Sequence, residues 1–185
     1  MTETKILFQI FDDEQTVLQK LSKFKCVDDY RVVDTYYYDP LRANLKPDAQ
    51  GRLTRYLRIR EQDGVNYISY KADNFDGNTW SYSDDAITSI EDVHVLYGIF
   101  HVLGLRELVV IDNMRRIYSA SDYTIKFDTV KNLGLFLRVE YDAPNELDII
   151  QIKKQIQFFL ETTGLNLSPE LNASKAELML RNINK

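Results

Sequence analysis

The amino-acid sequence predicts one antiparallel α+β domain that spans residues 1–185. Three observations support this class: the length suits one domain, many short segments alternate apolar and polar residues, and the strand–helix–strand rhythm of a parallel sheet is missing. Twelve tyrosines and nine phenylalanines also favour strands, because aromatic side chains fit a pleated sheet well.

The strand predictions rest on alternation with a period of two residues. Asp63 and Gly64 mark the turn of a hairpin, Pro40 ends an aromatic strand, and the polar stretch 41–51 is a predicted loop. In chain order, the predicted strands cover residues 2–11, 30–40, the two arms of the hairpin over 55–73, 78–85, 105–121, 122–130 and 133–142.

Four segments show helical spacing of apolar residues and recognisable ends. The predicted helices cover residues 12–24, 89–104, 145–164 and a short segment that begins after Ser174. Asp12 or Asp13 can cap the first helix, and Ser89 is the expected cap of the second. Ser174 and Glu177 form a capping-box pattern at the start of the last helix.

Composition and charge exclude several classes of protein. The net charge of −5 argues against general binding to nucleic acid, because phosphate backbones require a basic surface. No apolar run of about eighteen residues and no signal peptide is present, so we expect no membrane partner and a cytoplasmic location. The single cysteine, Cys26, cannot form an intrachain disulfide, and we expect it to be buried.

Two histidines lie on the second predicted helix. His94 and His101 are separated by two turns, about 10 Å, which is too far for one metal ion. We therefore interpret them as surface or packing residues.

Charged side chains recur at every second position in several predicted strands. Arg58 and Arg60 share one face of a strand whose other face carries Leu57 and Ile59, and Lys71 lies on the return strand. The same pattern recurs at Glu3, Lys5, Arg115, Lys126, Asp128, Arg138 and Glu140. One interpretation is the solvated outer face of an open sheet. The other is the lining of a closed sheet, in which fixed arginines and lysines bind a phosphate chain and carboxylates hold a divalent metal.

The order of these motifs resembles the CYTH family, which contains class IV adenylyl cyclases and thiamine triphosphatases and is also called the triphosphate tunnel metalloenzymes. The resemblance covers nearly the whole chain. The residues that carry it are Tyr37, Asp39, Leu57, Arg58, Ile59, Arg60, Lys71, Leu103, Gly104, Arg115, Tyr118, Asp128, Leu133, Gly134, Phe136, Glu140, Ser174 and Leu178. The resemblance implies a closed, eight-stranded antiparallel β-barrel, or tunnel, with charged residues inside and helices packed outside.

The resemblance also implies a set of site residues. The expected catalytic cations are Lys5, Arg58, Arg60, Lys71 and Arg115. Substrate-binding roles fall to Tyr118, Lys126 and Arg138, and Glu3, Asp128 and Glu140 would hold Mg or Mn. The substrate would be a small-molecule triphosphate (ATP, thiamine triphosphate or tripolyphosphate), the reaction hydrolysis or adenylyl cyclisation, and a homodimer is left open.

The sequence departs from the family pattern mainly at acidic positions. In the first strand Glu3 and Lys5 match in one register, with Met1 in place of a glutamate; in the other register Lys5 and Leu7 replace family residues. Asn113 replaces a lysine, and Arg138 replaces a glutamate. Residues 78–85 lack the expected charges, although Trp80 there could stack on a base or thiamine ring. These losses keep open a non-catalytic module that binds a nucleotide or polyphosphate.

Overall fold

A computed structural model describes residues 5–42, 45–48, 51–77, 79–142 and 149–183. Within these ranges the chain forms eight strands and four helices, which confirms the predicted α+β class and number of strands. The elements are β1 (Lys5–Ile10), α1 (Glu14–Leu21), β2 (Lys25–Tyr38), β3 (Arg55–Gln62), β4 (Val65–Asp76), β5 (Thr79–Ile90), α2 (Val93–Val102), β6 (Arg106–Ala120), β7 (Tyr123–Val130), β8 (Gly134–Tyr141), α3 (Ile149–Thr163) and α4 (Lys175–Ile183).

The strands form one sheet in the order β1-β8-β7-β6-β2-β3-β4-β5. The pairs β1–β8, β7–β8, β6–β7, β2–β3, β3–β4 and β4–β5 are antiparallel. In the described ranges this order has two ends, at β1 and β5, so the barrel closure that the resemblance implies does not appear in the strand pairing.

The chain divides into two compact units, each with its own core. The first unit consists of Met1–Tyr30 and Asn113–Leu171. Its core forms because alternate apolar residues of β1, β7 and β8 lie on one face of the strands and pack against α1 and α3. The most deeply buried members of this cluster are Ile6, Val17, Leu21, Ile125, Phe127, Leu137, Val139 and Ile156.

The second unit consists of Arg31–Asp112 and Asn172–Lys185. Tyr37 and Ile59 lie on the strand face that packs against Val93 and Phe100 of α2. The ring of Phe100 meets that of Tyr37 edge-on, with 4.9 Å between the centroids. Because α2 covers this face, the charged residues of β3 are placed on the other one.

Several predicted turns and caps are confirmed. Asp63 and Gly64 both have positive φ, 47° and 77°, as a tight hairpin turn requires. Asp13, one of the two candidates, caps α1 by accepting a hydrogen bond from the Thr16 N–H at 3.0 Å. At α4, the Glu177 carboxylate accepts from the Ser174 N–H while Ser174 Oγ accepts from the Glu177 N–H, so the capping box is present.

Other predictions were wrong or fall elsewhere. Ser89 does not cap α2: it pairs with Tyr67 inside β5, and Asp92 provides the cap instead. Cys26 is exposed rather than buried, because β2 begins five residues before the predicted start and includes it. The predicted first turn of the third helix, over 145–148, lies outside the described residues. None of the helices in the described ranges has the length and apolarity needed to cross a membrane.

Candidate functional site

The charged face of the second unit lies on β2, β3 and β4, opposite the face that α2 covers. The strand register places Asp34 beside Arg60 and places Arg58 beside Ser69. Asp34 is 7% exposed and Arg58 is 8% exposed. Such low exposure excludes the interpretation that these two residues lie on the solvated outer face of an open sheet. They belong instead to a charged face that is shielded from solvent.

Both arginines of this face contact the same carboxylate. Arg60 donates from Nε to Oδ1 of Asp34 at 2.7 Å and from Nη2 to Oδ2 at 2.8 Å. Nη1 of Arg58 lies 3.6 Å from Oδ2 of Asp34, and its Nε donates to Oγ of Ser69 at 3.1 Å. The sequence analysis did not identify Asp34. A lone acidic residue in the mainly apolar and aromatic stretch 32–38 was the signal that could have revealed it.

This cluster is fully charged at neutral pH. Burial alone would raise the pKa of Asp34, but the hydrogen bonds from Arg60 and the charge of Arg58 outweigh it and lower the pKa. Burial would likewise lower the pKa of Arg58, yet the charge of Asp34 raises it above its usual value. The Arg58 guanidinium therefore stays protonated beside the ionised carboxylate of Asp34.

Lys71 extends the charged face toward the sheet edge. It lies opposite Asp85 in the pairing of β4 with β5, and its Nζ is 3.2 Å from Oδ2 of Asp85. The Lys71 side chain is mostly buried, whereas that of Asp85 is one-third exposed. The three predicted cations of this unit thus each have an acidic partner.

The first unit carries a second charged face, on β6, β7 and β8. Arg115 lies opposite Asp128 and donates to it twice, from Nε to Oδ1 at 2.7 Å and from Nη2 to Oδ2 at 2.9 Å. Asp128 is 0% exposed and Arg115 is 4% exposed. The Asn113 amide lies at the limit of hydrogen-bond distance, 3.5 Å from the same carboxylate. Asn113, which replaces a family lysine, therefore stays within this buried cluster.

Lys126 and Arg138 stand directly opposite each other on β7 and β8. Lys126 avoids this like-charge neighbour by reaching diagonally to Glu140, with which it forms an ion pair through Oε2. The other oxygen of Glu140, Oε1, is buried and has no hydrogen-bond partner in the part of the chain that the structure describes. A buried carboxylate oxygen of this kind has room for a further cationic or hydrogen-bonding partner.

Three predicted site residues remain to be placed: Glu3, Lys5 and Tyr118. Glu3 and the Lys5 side chain lie outside the described residues, although the backbone of Lys5 pairs with Glu140 across β1 and β8. Tyr118 lies on the opposite face of β6 from Arg115, buried in the apolar cluster with Ile125. Its side chain packs in the core and does not join the charged face.

A divalent metal requires several oxygen or nitrogen donors close together. Across the described ranges, no three His, Cys, Asp or Glu side chains come together as a metal cluster. Both oxygens of Asp128 accept hydrogen bonds from Arg115, so the open donor on this face is Oε1 of Glu140. Mg²⁺ is often held by one or two carboxylates together with substrate phosphates. The donors among the described residues therefore fit a metal that Glu140 shares with a bound phosphate.

Buried arginine–carboxylate pairs thus lie on an eight-stranded antiparallel sheet, and the sequence comparisons agree with the order of the motifs. Residues 1–172 match the CYTH domain. A candidate adenylate cyclase, MJ0240 of Methanocaldococcus jannaschii, is 30% identical over 186 residues, covering 99% of this chain and 100% of that protein. The chain therefore belongs to the CYTH domain family, whose triphosphate tunnel metalloenzymes are metal-dependent.

Solved structures share the fold at lower identity. PH1819 of Pyrococcus horikoshii has a TM-score of 0.75 and is 22% identical, covering 96% of this chain and 99% of that one. HpAC1 of Hippeastrum, a candidate adenylyl cyclase described as having a dominant triphosphatase activity, has a TM-score of 0.67 and is 16% identical, covering 97% and 95%. These two likenesses concern the fold.

Proposed function

We propose that this protein binds the phosphate chain of a small-molecule triphosphate through its buried cationic side chains and hydrolyses it with Mg²⁺ or Mn²⁺. The observation that carries the proposal is the burial of Arg58 and Arg115 on charged strand faces, since guanidinium groups held where water is scarce bind phosphate oxygens strongly. Membership of the CYTH family supports the same substrate class. The triphosphatase activity described for HpAC1 supports hydrolysis as the reaction.

Arg60 has a donor group available for phosphate. Within the part of the chain that the structure describes, it donates to Asp34 from Nε and Nη2, so Nη1 can donate to a phosphate oxygen. In the second unit the proposed phosphate contacts are Arg58, Arg60 and Lys71. In the first unit they are Arg115, Lys126 and Arg138. Guanidinium and ammonium groups held rigidly in a poorly solvated site stabilise the charge that develops on phosphoryl oxygens.

Glu140 is the proposed metal contact. Lys126 fixes one of its oxygens by an ion pair, so the other, Oε1, is held in a constant direction. When bound there together with substrate phosphates, Mg²⁺ or Mn²⁺ would polarise a phosphoryl oxygen and lower the pKa of a bound water. Glu140 would thus orient the metal–phosphate complex while Arg115 and Arg138 of the same unit contact other phosphate oxygens.

The proposal is tested by turnover. Purified protein is incubated with Mg²⁺ or Mn²⁺ and, in turn, with tripolyphosphate, thiamine triphosphate and ATP, while phosphate, pyrophosphate and cyclic AMP are measured. We expect release of phosphate, and loss of this release by at least about a hundredfold in Glu140→Gln. Glu170→Gln is the matched control, because Glu170 forms a similar ion pair with Lys153 away from the charged faces. Equal turnover in wild type and Glu140→Gln would contradict the role of Glu140.

A non-catalytic binding module is the second candidate. It is favoured by the full engagement of Asp128 with Arg115 and by Arg138, a cation two residues from Glu140 that opposes metal binding. A rise in melting temperature with tripolyphosphate, without turnover under either metal, would support this candidate. Formation of cyclic AMP and pyrophosphate from ATP would instead identify an adenylyl cyclase.

A further inference from the structure

Asp34 is a buried carboxylate that contacts two proposed phosphate-binding residues at once. Its oxygens lie 2.7 and 2.8 Å from Arg60 and 3.6 Å from Arg58. Its side chain is 11% exposed and that of Arg58 is 9% exposed, so water screens these charges poorly. Asp34 is therefore a poorly screened negative charge that both guanidinium groups meet within the second unit.

Two guanidinium groups this close would be unstable without a counterion. Arg58 and Arg60 stand two residues apart on the same strand face, and their repulsion is large where solvent is excluded. Removing one member of a buried ion pair is strongly destabilising, because the remaining charge is left uncompensated. The lowered pKa of Asp34 is consistent with an ionised carboxylate in this place.

We infer that Asp34 is a built-in counterion of the empty phosphate site, which holds Arg58 and Arg60 in place when no anion is bound and competes with substrate phosphate for them when one is. This rests on the proposed function and assigns Asp34 a positioning role within it. The ligand class is a polyphosphate chain. The negative charge of Asp34 lowers the affinity for that chain, and the benefit is a stable empty protein with its arginines in position.

The inference predicts two effects of opposite sign for Asp34→Asn. Without an anion, the neutral amide leaves the two guanidinium groups uncompensated, so the melting temperature falls by about 5–15 °C. With an anion, the repulsion from Asp34 is gone, so the dissociation constant for tripolyphosphate decreases by about fivefold or more. A side chain that only maintained the fold would lower stability and weaken binding together.

The experiment compares wild type, Asp34→Asn and Asp112→Asn, with tripolyphosphate as the probe in metal-free buffer. Asp112 is the matched control, because it accepts two hydrogen bonds from Arg31 at 2.8 Å in the same unit, but the Arg31 side chain is 62% exposed. Melting temperature is measured without anion, and affinity is measured by calorimetry. Asp112→Asn should change the melting temperature by at most about 2 °C and leave the affinity unchanged.

A measurement on the wild-type protein covers the case in which Asp34→Asn does not fold. The Nε–H resonances of Arg60 and Arg31 are followed by NMR during a titration with tripolyphosphate. Competition for Arg60 predicts that its resonance shifts on saturation while that of Arg31 does not. An unmoved Arg60 resonance at saturation would overturn the inference.

The outcomes separate this inference from the proposed function. Absence of tripolyphosphate binding by the wild-type protein, with or without Mg²⁺ or Mn²⁺, would refute the proposed function. Binding by wild type together with equal or weaker binding by a folded Asp34→Asn variant would refute only the counterion role.

Discussion

At the scale of single residues, the charged faces consist of ion pairs with different degrees of burial. Arg115–Asp128 is almost completely buried, Arg60–Asp34 is partly accessible through the arginine, and Lys71–Asp85 is open on its acidic side. Solvent screens the Lys71–Asp85 pair most and the Arg115–Asp128 pair least. An incoming anion would therefore replace the acidic partner most easily at Lys71 and least easily at Arg115.

Asp34 gives a prediction for acid unfolding. Its pKa is lowered from the usual 3.8, so its stabilising contribution is complete above about pH 4 and is lost as the pH falls through the lower folded-state pKa. We expect the difference in free energy of unfolding between wild type and Asp34→Asn to be constant from pH 7 to pH 5. It should shrink below about pH 3.8. Urea unfolding at pH 7, 5, 3.5 and about 2.5 measures this difference.

The comparison of wild type with Asp112→Asn gives the baseline for losing an exposed pair with the same two hydrogen bonds. If the difference in free energy of unfolding between wild type and Asp34→Asn does not shrink even at the lowest pH, Asp34 is not an ionised partner of the two arginines.

The sequence predicts on which strand face each charged residue lies, but it does not predict with which residue each one forms an ion pair. Alternation alone places Arg58 and Arg60 on one face of a strand. That Asp34 lies opposite Arg60 depends on the register of β2 against β3, which alternation does not determine. The ion pair between Lys126 and Glu140 is harder still to predict, because it joins diagonal rather than opposite positions.

At the scale of elements, α4 is held by a carboxylate with two functions. Oε2 of Glu177 accepts from the Ser174 N–H within the capping box, and Oε1 accepts from the buried Leu53 N–H, both at 2.6 Å. The capping box was predictable from four consecutive residues. The contact with Leu53 was not, because it joins residues 124 positions apart in the chain.

Removing Glu177 should therefore cost more than removing its capping partner. We expect Ser174→Ala to lower the free energy of unfolding by about 1 kcal/mol, as for a typical cap. Glu177→Ala leaves two N–H groups without their acceptor and should lower it by about 2–4 kcal/mol. Urea unfolding measures both.

Gln157→Ala, on the exposed surface of α3, is the control and should change stability by less than about 0.5 kcal/mol. Equal losses for Ser174→Ala and Glu177→Ala would mean that the bond to Leu53 contributes nothing to stability.

The sequence predicted the wrong N-cap residue for α2, and the cause of this error can be identified. Ser89 has the right residue type for an N-cap and precedes an apolar helix, so local propensity favours it. In the structure, β5 continues to Ile90 because its residues find ladder partners on β4, and the helix starts only after Asp92. Sheet pairing between distant segments thus overrides a local signal.

At the scale of the whole molecule, the net charge of −5 and the burial of the cations act together. A negative net charge repels long polyanions, and the buried Arg58 and Arg115 offer little basic surface to a rigid duplex. The net charge led the sequence analysis to expect no general binding to nucleic acid. The division into two units was not predicted, since β2 and β6 each contribute residues to both.

We therefore expect no binding of a 20-base-pair DNA duplex up to about 100 µM, even at about 50 mM salt, where non-specific binding is strongest. Fluorescence anisotropy of a labelled duplex measures this. The positive control is a rise in melting temperature with tripolyphosphate in the same buffer. Duplex binding that weakens steeply with salt would reveal a basic surface that the structure does not predict.

The exposure of Cys26 has a practical consequence. Its thiol is the only one in the chain and is open to solvent at the start of β2, so a maleimide dye would attach at a single known position without any mutation. The same thiol can link two molecules covalently under oxidising conditions. Gel filtration that asks whether the protein is a dimer must therefore include a reductant, or an artefact of storage will be mistaken for assembly.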